Sequence, residues 1–234
     1  MPPQTVIFDL DGTLVDSAAD LMGTLNFILA REGAPALPVE TAHSLLGAGA
    51  RALLERGFAM DGRVIEPARM DVLYRDFLDY YADHLADATT AFDGVRTALD
   101  VLKARGCILG VCTNKVTEHS VRLLDALGLS SYFSAVCGRD AFDWCKPDAR
   151  HLTLTIEAAG GEPACAIMVG DSKTDIATAI NAGLPSICVD FGYTDIPARD
   201  LGATAVISHF DELVPAIDKI AASSDLTAQP AFYK

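Results

Sequence analysis

The hydrophobic positions of the chain form short apolar runs that alternate with helical patterns from residue 93 to about 222. The runs are "CILGVC", "SAVCG", "AIMVG", "SICVDF" and "TAVIS". Continuous apolar runs with helices between them are typical of parallel strands that are buried on both faces. "TVIFDL" at residues 5–10 predicts one more strand. We therefore expect an α/β fold, with a Rossmann-like parallel sheet that carries helices on both faces.

Within residues 16–92 the apolar residues recur only at helical spacing, as in "DSAADLMGTLNFILAREG" and "EPARMDVLYRDFLDYYADHLAD", and no strand pattern occurs. The sequence predicts a discontinuous α/β core (1–15 and 93–222), an inserted all-helical cap (16–92) and a loose C-terminal tail (223–234). Ligands of open α/β sheets bind outside the carboxyl ends of the strands. A cap inserted there would cover the binding site, with hinges near residues 15–16 and 91–94.

The charge of the chain narrows the class of partner. A formal net charge of −14 on 234 residues repels nucleic-acid phosphates and acidic lipid surfaces, so we expect neither partner. The N-terminal "MPPQTVIF" has no signal-peptide pattern, and no apolar run reaches the ~18 residues of a membrane helix. The six cysteines form no C-x-x-C pair, which favours free thiols. We expect a cytoplasmic protein, monomeric or homodimeric, that binds a small molecule.

Polar residues stand where four successive apolar runs stop. The segments are "DLDGT", "VCTNK", "CKPD" and "VGDSKTD". Aspartate, asparagine, glycine and Lys-Pro are ordinary turn residues, and a turn would explain any one segment. Four such segments at one edge of a parallel sheet instead predict a functional site.

The carboxylates of these segments indicate a metal. Side chains at i and i+2 of an extended segment point the same way, so Asp9 and Asp11 repel each other unless a cation lies nearby. Asp171 offers a third carboxylate, and oxygen ligands of this kind suit Mg²⁺. One aspartate would then attack phosphorus while the other supplies a proton. The alternative for Asp9 and Asp11 is a plain turn or helix N-cap.

The remaining polar residues suit phosphate binding. Thr113 and Asn114 open a turn into a helix, where hydroxyl and N–H groups hold phosphate oxygens. Lys146 would provide the cation that an acidic chain needs there, and Asp175, four residues after Asp171, would orient Lys146 or a metal-bound water. Each also has a simpler explanation: a helix N-cap, an exposed lysine, and an acid in a first helical turn.

The four segments together resemble the haloacid dehalogenase superfamily of phosphatases. That resemblance implies that Asp9 is the nucleophile and that Asp11 protonates the leaving oxygen and then activates water. It also implies Mg²⁺ as cofactor, held by Asp9, the main-chain carbonyl of Asp11, and Asp171. The phosphate would be bound by Gly12, Thr113, Asn114 and Lys146.

The cap sequence is similar to that of the phosphoglycolate phosphatases, through "LLGAGARALLERGF" and, outside the cap, "FGYTD". These enzymes often carry Asn where this chain has Ala48, and often a second proline after the Lys-Pro motif, which is missing here. Arg51, in the same cap loop, is a candidate ligand for a substrate carboxylate, although an exposed helix cation is the simpler explanation.

The sequence therefore predicts a Mg²⁺-dependent phosphatase of a small monoester, with 2-phosphoglycolate as the first candidate. A sugar-phosphate phosphatase or a phosphomutase of the same superfamily is the alternative, and a non-catalytic binding protein on this fold is a remote one. Residues 16–92 contain no lysine, which argues against a phosphonate hydrolase, since that reaction needs a cap lysine.

Overall fold

The protein, in this computed structural model, is described over residues 4–227, with side chains to residue 223. Its main sheet has six parallel strands in the order β5-β4-β1-β6-β7-β8. The six are β1 (Thr5–Phe8), β4 (Ile108–Cys112), β5 (Ala135–Cys137), β6 (Ala166–Gly170), β7 (Ser186–Val189) and β8 (Ala205–Ile207). Two further strands, β2 (Val15–Asp16) and β3 (Thr90–Ala91), pair antiparallel outside this sheet.

Helices follow most of the strands. The helices are α1 (Ala18–Arg31), α2 (Ala42–Leu45), α3 (Ala50–Met60), α4 (Pro67–Asp83), α5 (Val95–Ala104), α6 (Thr117–Ala126), α7 (Ala149–Ala158), α8 (Lys173–Ala182) and α9 (Leu213–Thr227). The first four all lie between β2 and β3 in the chain. The predicted fold class, a parallel α/β core with an inserted helical block, is confirmed.

The central strand β1 shows why the sheet is buried on both sides. Val6 and Phe8 pack into the cluster formed with α5, α6 and α9, whereas Ile7 packs on the other face with α7 and α8. Successive side chains of a strand point to opposite faces, so a strand covered on both sides must be apolar throughout. This explains the continuous run "VIF" that precedes Asp9.

The helices α1–α4 form a hydrophobic cluster of their own, built on residues such as Leu25, Leu54 and Phe77. The core contributes Tyr193 to this cluster. The chain enters and leaves the helical block through β2 and β3, close to the hinges expected from the sequence. The sequence pattern did not predict this two-stranded ribbon, because two residues are too few to show a strand's alternation.

Helix α9 continues to Thr227, so the first five residues of the predicted tail are helical, and residues 228–234 lie outside the described part of the chain. None of the helices within residues 4–227 combines the length and the apolar character that a membrane crossing requires.

Candidate active site

The predicted site residues meet at one edge of the sheet. Asp9 directly follows β1, Thr113 follows β4, and Asp171 follows β6. These three strands are neighbours, with β1 in the middle. The carboxyl ends of parallel strands lie at the same edge, so residues far apart in the sequence become adjacent there.

Asp9 and Lys146 form a buried ion pair at the centre of this edge. The Lys146 Nζ lies 2.9 Å from Asp9 Oδ1 and 2.5 Å from Asp175 Oδ1. Asp9 Oδ1 also accepts a hydrogen bond from the Leu10 N–H at 2.7 Å. Both contacts of Asp9 fall on Oδ1, which leaves Oδ2 without a partner among the described residues. The structure thus pairs Asp175 with Lys146, one of the two roles expected for it.

Charge and burial perturb these groups strongly. Burial, then the neighbouring Asp175, raises the pKa of Asp9 to about 7, against the lowering effect of Lys146. Burial alone would lower the pKa of Lys146, but Asp175 and Asp9 raise it above its usual value. Perturbed pKa values of this kind cluster at functional sites. The lysine therefore stays charged, and the carboxylate keeps its proton more readily than usual.

Asp171 is fixed by two donors. Its Oδ1 accepts a hydrogen bond from Thr13 Oγ1 at 2.8 Å, and its Oδ2 accepts one from the Tyr193 N–H at 2.7 Å. Gly12 lies against it with φ +84°, and a Cβ at that position would come within 2.5 Å of Asp171 Oδ2. Only glycine leaves room for the Asp171 carboxylate here.

The acidic groups fit a divalent cation. Carboxylate oxygens of Asp9, Asp171 and Asp175 lie within 4.8 Å of one another, and all three residues are buried. Asp175 already accepts from Lys146 and from Ser172, so Asp9 and Asp171 are the carboxylates suited to hold a metal. Burial, then Asp175, raises the pKa of Asp171 well above its usual range, because burial and a neighbouring carboxylate both disfavour its charged form. Mg²⁺ prefers such oxygen ligands, with waters and substrate phosphate completing its shell.

Asp11 points away from this cluster, towards the helical block. Its two carboxylate oxygens each lie 2.9 Å from Lys115 Nζ, and its Oδ1 also accepts from Ser17 Oγ at 2.6 Å. Lys115 Nζ in turn lies 2.8 Å from the hydroxyl of Tyr81 on α4. The contact between Lys115 and Tyr81 therefore links the Asp11–Lys115 ion pair of the core to the helical block.

Thr113 and Asn114 lie in the loop after β4, as predicted. The Asn114 amide donates to the carbonyl oxygen of Lys146 at 3.1 Å, and its Oδ1 is buried without a partner among the described residues. The Lys146 N–H donates to His151 Nδ1 at 3.2 Å. Asn114 and His151 thus fix the main chain of Lys146 from both sides, a task that sequence reasoning did not assign to either.

A cavity of about 60 Å³ lies between the strand ends and the helical block. Asp9, Asp11, Thr113 and Lys115 form its floor, and cap residues such as Tyr81 close its other side. His119 also lines it, with Nδ1 buried and unpaired within the described part of the chain. The cap walls are mostly apolar; among them are Leu21, Leu46, Leu53, Tyr74, Phe77 and Leu78.

Arg51 does not line this cavity. Its guanidinium pairs with Asp71 on α4 and lies 5.8 Å from the centre of the Tyr74 ring. Its side chain is 37% exposed. In this arrangement Arg51 contacts Asp71 and not the cavity, and its predicted contact with a substrate carboxylate stays a prediction.

The model of the family described as haloacid dehalogenase-like hydrolase matches residues 6–189 of the chain. The chain belongs to this family. A phosphoglycolate phosphatase of Caulobacter vibrioides is 48% identical over 206 residues, which cover 88% of this chain and 87% of the relative. One of Mesorhizobium japonicum is 45% identical and covers 89% of this chain and 92% of its own.

Solved structures with similar descriptions also share the fold of this haloacid dehalogenase-like hydrolase. A Haemophilus somnus chain described as a predicted phosphoglycolate phosphatase superposes with a TM-score of 0.84 at 28% identity, covering 91% of this chain and 97% of its own. A Lactobacillus delbrueckii structure reaches a TM-score of 0.85 at 25% identity, with 93% and 99% covered. The predicted assignment to this family and to its phosphoric monoester hydrolases is confirmed.

Sequence reasoning missed several residues of the candidate site. Lys115 was present in the quoted "VCTNK", and a lysine beside a turn predicted to bind phosphate was a usable signal in an acidic chain. Tyr81, His151 and His119 carried no such signal, since each lies in a helix where an apolar pattern explains it equally well.

Proposed function

We propose that the protein is a Mg²⁺-dependent phosphatase that hydrolyses 2-phosphoglycolate, or a phosphate monoester of similar size, through an aspartyl-phosphate on Asp9. The observation that carries this proposal is the arrangement around Asp9. One of its oxygens is held by Leu10 and Lys146, the other has no partner among the described residues, and the Asp171 carboxylate lies beside it. A carboxylate held by one oxygen presents the other as a nucleophile.

In the first step, Asp9 Oδ2 would attack phosphorus while the bond to the leaving oxygen breaks. Lys146 offsets the negative charge that Asp9 and the phosphoryl group bring together, and Thr113 can donate its hydroxyl proton to a phosphate oxygen. Asp9 and Asp171 would hold Mg²⁺, which when bound supplies further positive charge against the phosphate. Monoester hydrolysis is extremely slow in water, so charge stabilisation and positioning must lower the barrier by about 20 kcal/mol.

Asp11 would move the proton. As an acid, it gives a proton to the oxygen of the departing alcohol, and as a carboxylate it then takes one from the water that attacks the phosphorus of the aspartyl-phosphate. Phosphate and the free Asp9 carboxylate are the products of that second step. Asp11 lines the same cavity as Asp9, so both can reach one small substrate.

The size of the cavity supports a small substrate. About 60 Å³ is far below the roughly 300–1,000 Å³ of pockets for drug-sized ligands. A glycolate group needs little space, whereas a hexose phosphate would require the helical block to move. The relatives named phosphoglycolate phosphatases support the same choice. Residues 16–92 act, in this proposal, as a cap that excludes water from the site.

The test is phosphate release from a panel of monoesters, measured with Mg²⁺ and again after EDTA. We expect phosphoglycolate to give the highest kcat/KM, and EDTA to abolish turnover until Mg²⁺ is restored. Turnover that persists in EDTA would contradict the metal dependence. Transfer of phosphate to a second site of a sugar phosphate, without release, would instead show a phosphomutase.

A further inference from the structure

The second buried lysine of the site, Lys115, is not used by the mechanism above. Its side chain is 5% exposed, although it lies at the boundary between core and cap. An ammonium group has three N–H donors. Two Asp11 oxygens at 2.9 Å and the Tyr81 hydroxyl at 2.8 Å match those three donors. Lys115 therefore has no donor left over for a substrate in this arrangement.

The Tyr81 end of this contact belongs to the cap. Tyr81 is 1% exposed and lies on α4, where its ring packs with Phe77. Its hydroxyl accepts from Lys115, and the ammonium also lies 4.4 Å from the centre of its ring. A cation over an aromatic face gains electrostatic attraction, most of all when water is excluded. The position of the Lys115 ammonium thus depends on a cap residue.

The Asp11 end belongs to the catalytic edge of the core. Asp11 is two residues after Asp9, and apart from Lys115 its side chain is held by Ser17, which immediately precedes α1. Ser17 contacts Oδ1 alone, whereas Lys115 contacts both carboxylate oxygens, so Lys115 and Ser17 together set the orientation of the Asp11 carboxylate. Asp11 can act as an acid only when it points at the leaving oxygen, and its orientation therefore affects the rate directly.

We propose that Lys115 is a positioning residue for Asp11, and that Tyr81 makes this positioning depend on the cap. We call Asp11, Lys115 and Tyr81 the cap–core bridge. Through the bridge, the acid is correctly oriented only while α4 is packed over the cavity. This inference rests on the proposed function, because it assumes that Asp11 donates a proton to the leaving group.

The test uses three small substrates with different leaving groups: phosphoglycolate, ethyl phosphate and acetyl phosphate. Acetate leaves without a proton, whereas the two alcohols need one. Replacing Lys115→Met should lower kcat/KM by about 100-fold for both alkyl phosphates, within the usual range of acid catalysis, and by less than about threefold for acetyl phosphate. Tyr81→Phe should show the same pattern with a loss of roughly 3- to 10-fold, because the ring remains.

A double-mutant cycle separates positioning from other roles. If Lys115 acts through Asp11, Lys115→Met should add almost nothing to the loss already caused by Asp11→Asn. Tyr80→Phe is the matched control on α4, since Tyr80 stacks on Phe27 outside the cavity, and it should keep wild-type kinetics. Thermal unfolding checks that each variant is folded.

Three results would overturn the cap–core bridge. Equal losses on all three substrates would indicate a structural role only. A rise in KM for phosphoglycolate that spares ethyl phosphate would show that Lys115 binds the substrate carboxylate. Additive losses in the Asp11→Asn background would show that Lys115 acts independently. If the wild-type enzyme hydrolyses none of the three, or if Asp11→Asn shows no dependence on the leaving group, the proposed function itself fails and the bridge falls with it.

Discussion

Two buried lysines of this protein each form an ion pair with an aspartate, but their other partners lie in different parts of the molecule. The side chains of Lys146 and Lys115 are 1% and 5% exposed, and each pairs with an aspartate of "DLDGT". The other side-chain partner of Lys146, Asp175, belongs to the core, and its main chain is fixed by Asn114 and His151. Lys115 instead has its second partner in the cap.

The difference separates a constant part of the site from a part that depends on the cap. Lys146, the cation proposed to meet the substrate phosphate, is held by core residues alone among the contacts described above, from the loop after β4 and from α7 and α8. A charge that orients the acid is shared with a helix that covers the cavity. Removing either lysine leaves aspartates with fewer partners, but we expect the two losses of activity to depend differently on the substrate.

The largest effect should come from the proposed nucleophile. Asp9→Asn removes the oxygen proposed to attack phosphorus, and we expect kcat to fall by about 10⁴-fold or more on every substrate, while the fold is retained. Asp143→Asn, an exposed substitution in a neighbouring loop, serves as control and should leave kcat unchanged. Phosphate release by Asp9→Asn at a wild-type rate would remove Asp9 from the mechanism.

Lys146→Met tests the lysine whose partners described above all belong to the core. We expect kcat/KM to fall by roughly 10²- to 10³-fold, and to a similar extent for acetyl phosphate and for alkyl phosphates, because the lost charge is the one proposed to stabilise the phosphoryl group. The loss of the buried cation should also lower the free energy of unfolding by about 3–5 kcal/mol, which denaturant titration measures. A loss confined to alkyl phosphates would show that Lys146, like Lys115, acts on the leaving group, and would contradict the difference expected between the two lysines.

The next prediction concerns His151, which accepts a hydrogen bond from the Lys146 N–H. Burial, then Lys146, lowers the pKa of His151 to about 4. The unfolded chain binds a proton on His151 near pH 6.5, whereas the native state does so only near pH 4. The contribution of His151 to stability is therefore fully present above pH 6.5 and is lost as the pH falls towards 4. The loss should be on the order of 3 kcal/mol. His151→Gln should flatten this part of the pH–stability curve, which denaturant titration at several pH values measures.

The smallest effect concerns His119. Its Nδ1 is buried and unpaired among residues 4–223, and its ring centre lies 5.8 Å from that of Tyr81. Phenylalanine keeps the ring and removes the unsatisfied nitrogen, so His119→Phe should leave the free energy of unfolding unchanged or raise it by up to about 1 kcal/mol. A clear loss of stability in denaturant titration would mean that the nitrogen has a partner, such as an ordered water.

Part of the site could be anticipated because its residues follow strands. The runs "TVIF", "ILGVC" and "AIMVG" are apolar enough to be recognised as buried parallel strands, and the polar residues after them then share one edge. Asp9, Thr113 and Asp171 follow from that rule alone. The order of the strands was not needed, since all their carboxyl ends meet at the same side.

The cap–core bridge could not be anticipated in this way. Lys115 is 104 residues from Asp11 and 34 from Tyr81 along the chain. Nothing in the helical pattern of α4 distinguishes Tyr81 from an ordinary core tyrosine, and Arg51, a more conspicuous cation in the cap, pairs with Asp71 instead. The direction that each side chain takes depends on how the cap packs on the core.

The parallel sheet, the helical insertion and the cluster of acids at the strand ends could be read from the chain, because periodicity and local residue types are properties of sequence neighbours. The folded structure was needed to show which lysine pairs with which carboxylate, which histidine fixes the Lys146 main chain, and how little space remains beneath the cap. Those are distances between segments that the chain brings together on folding, and local pattern carries no measure of them.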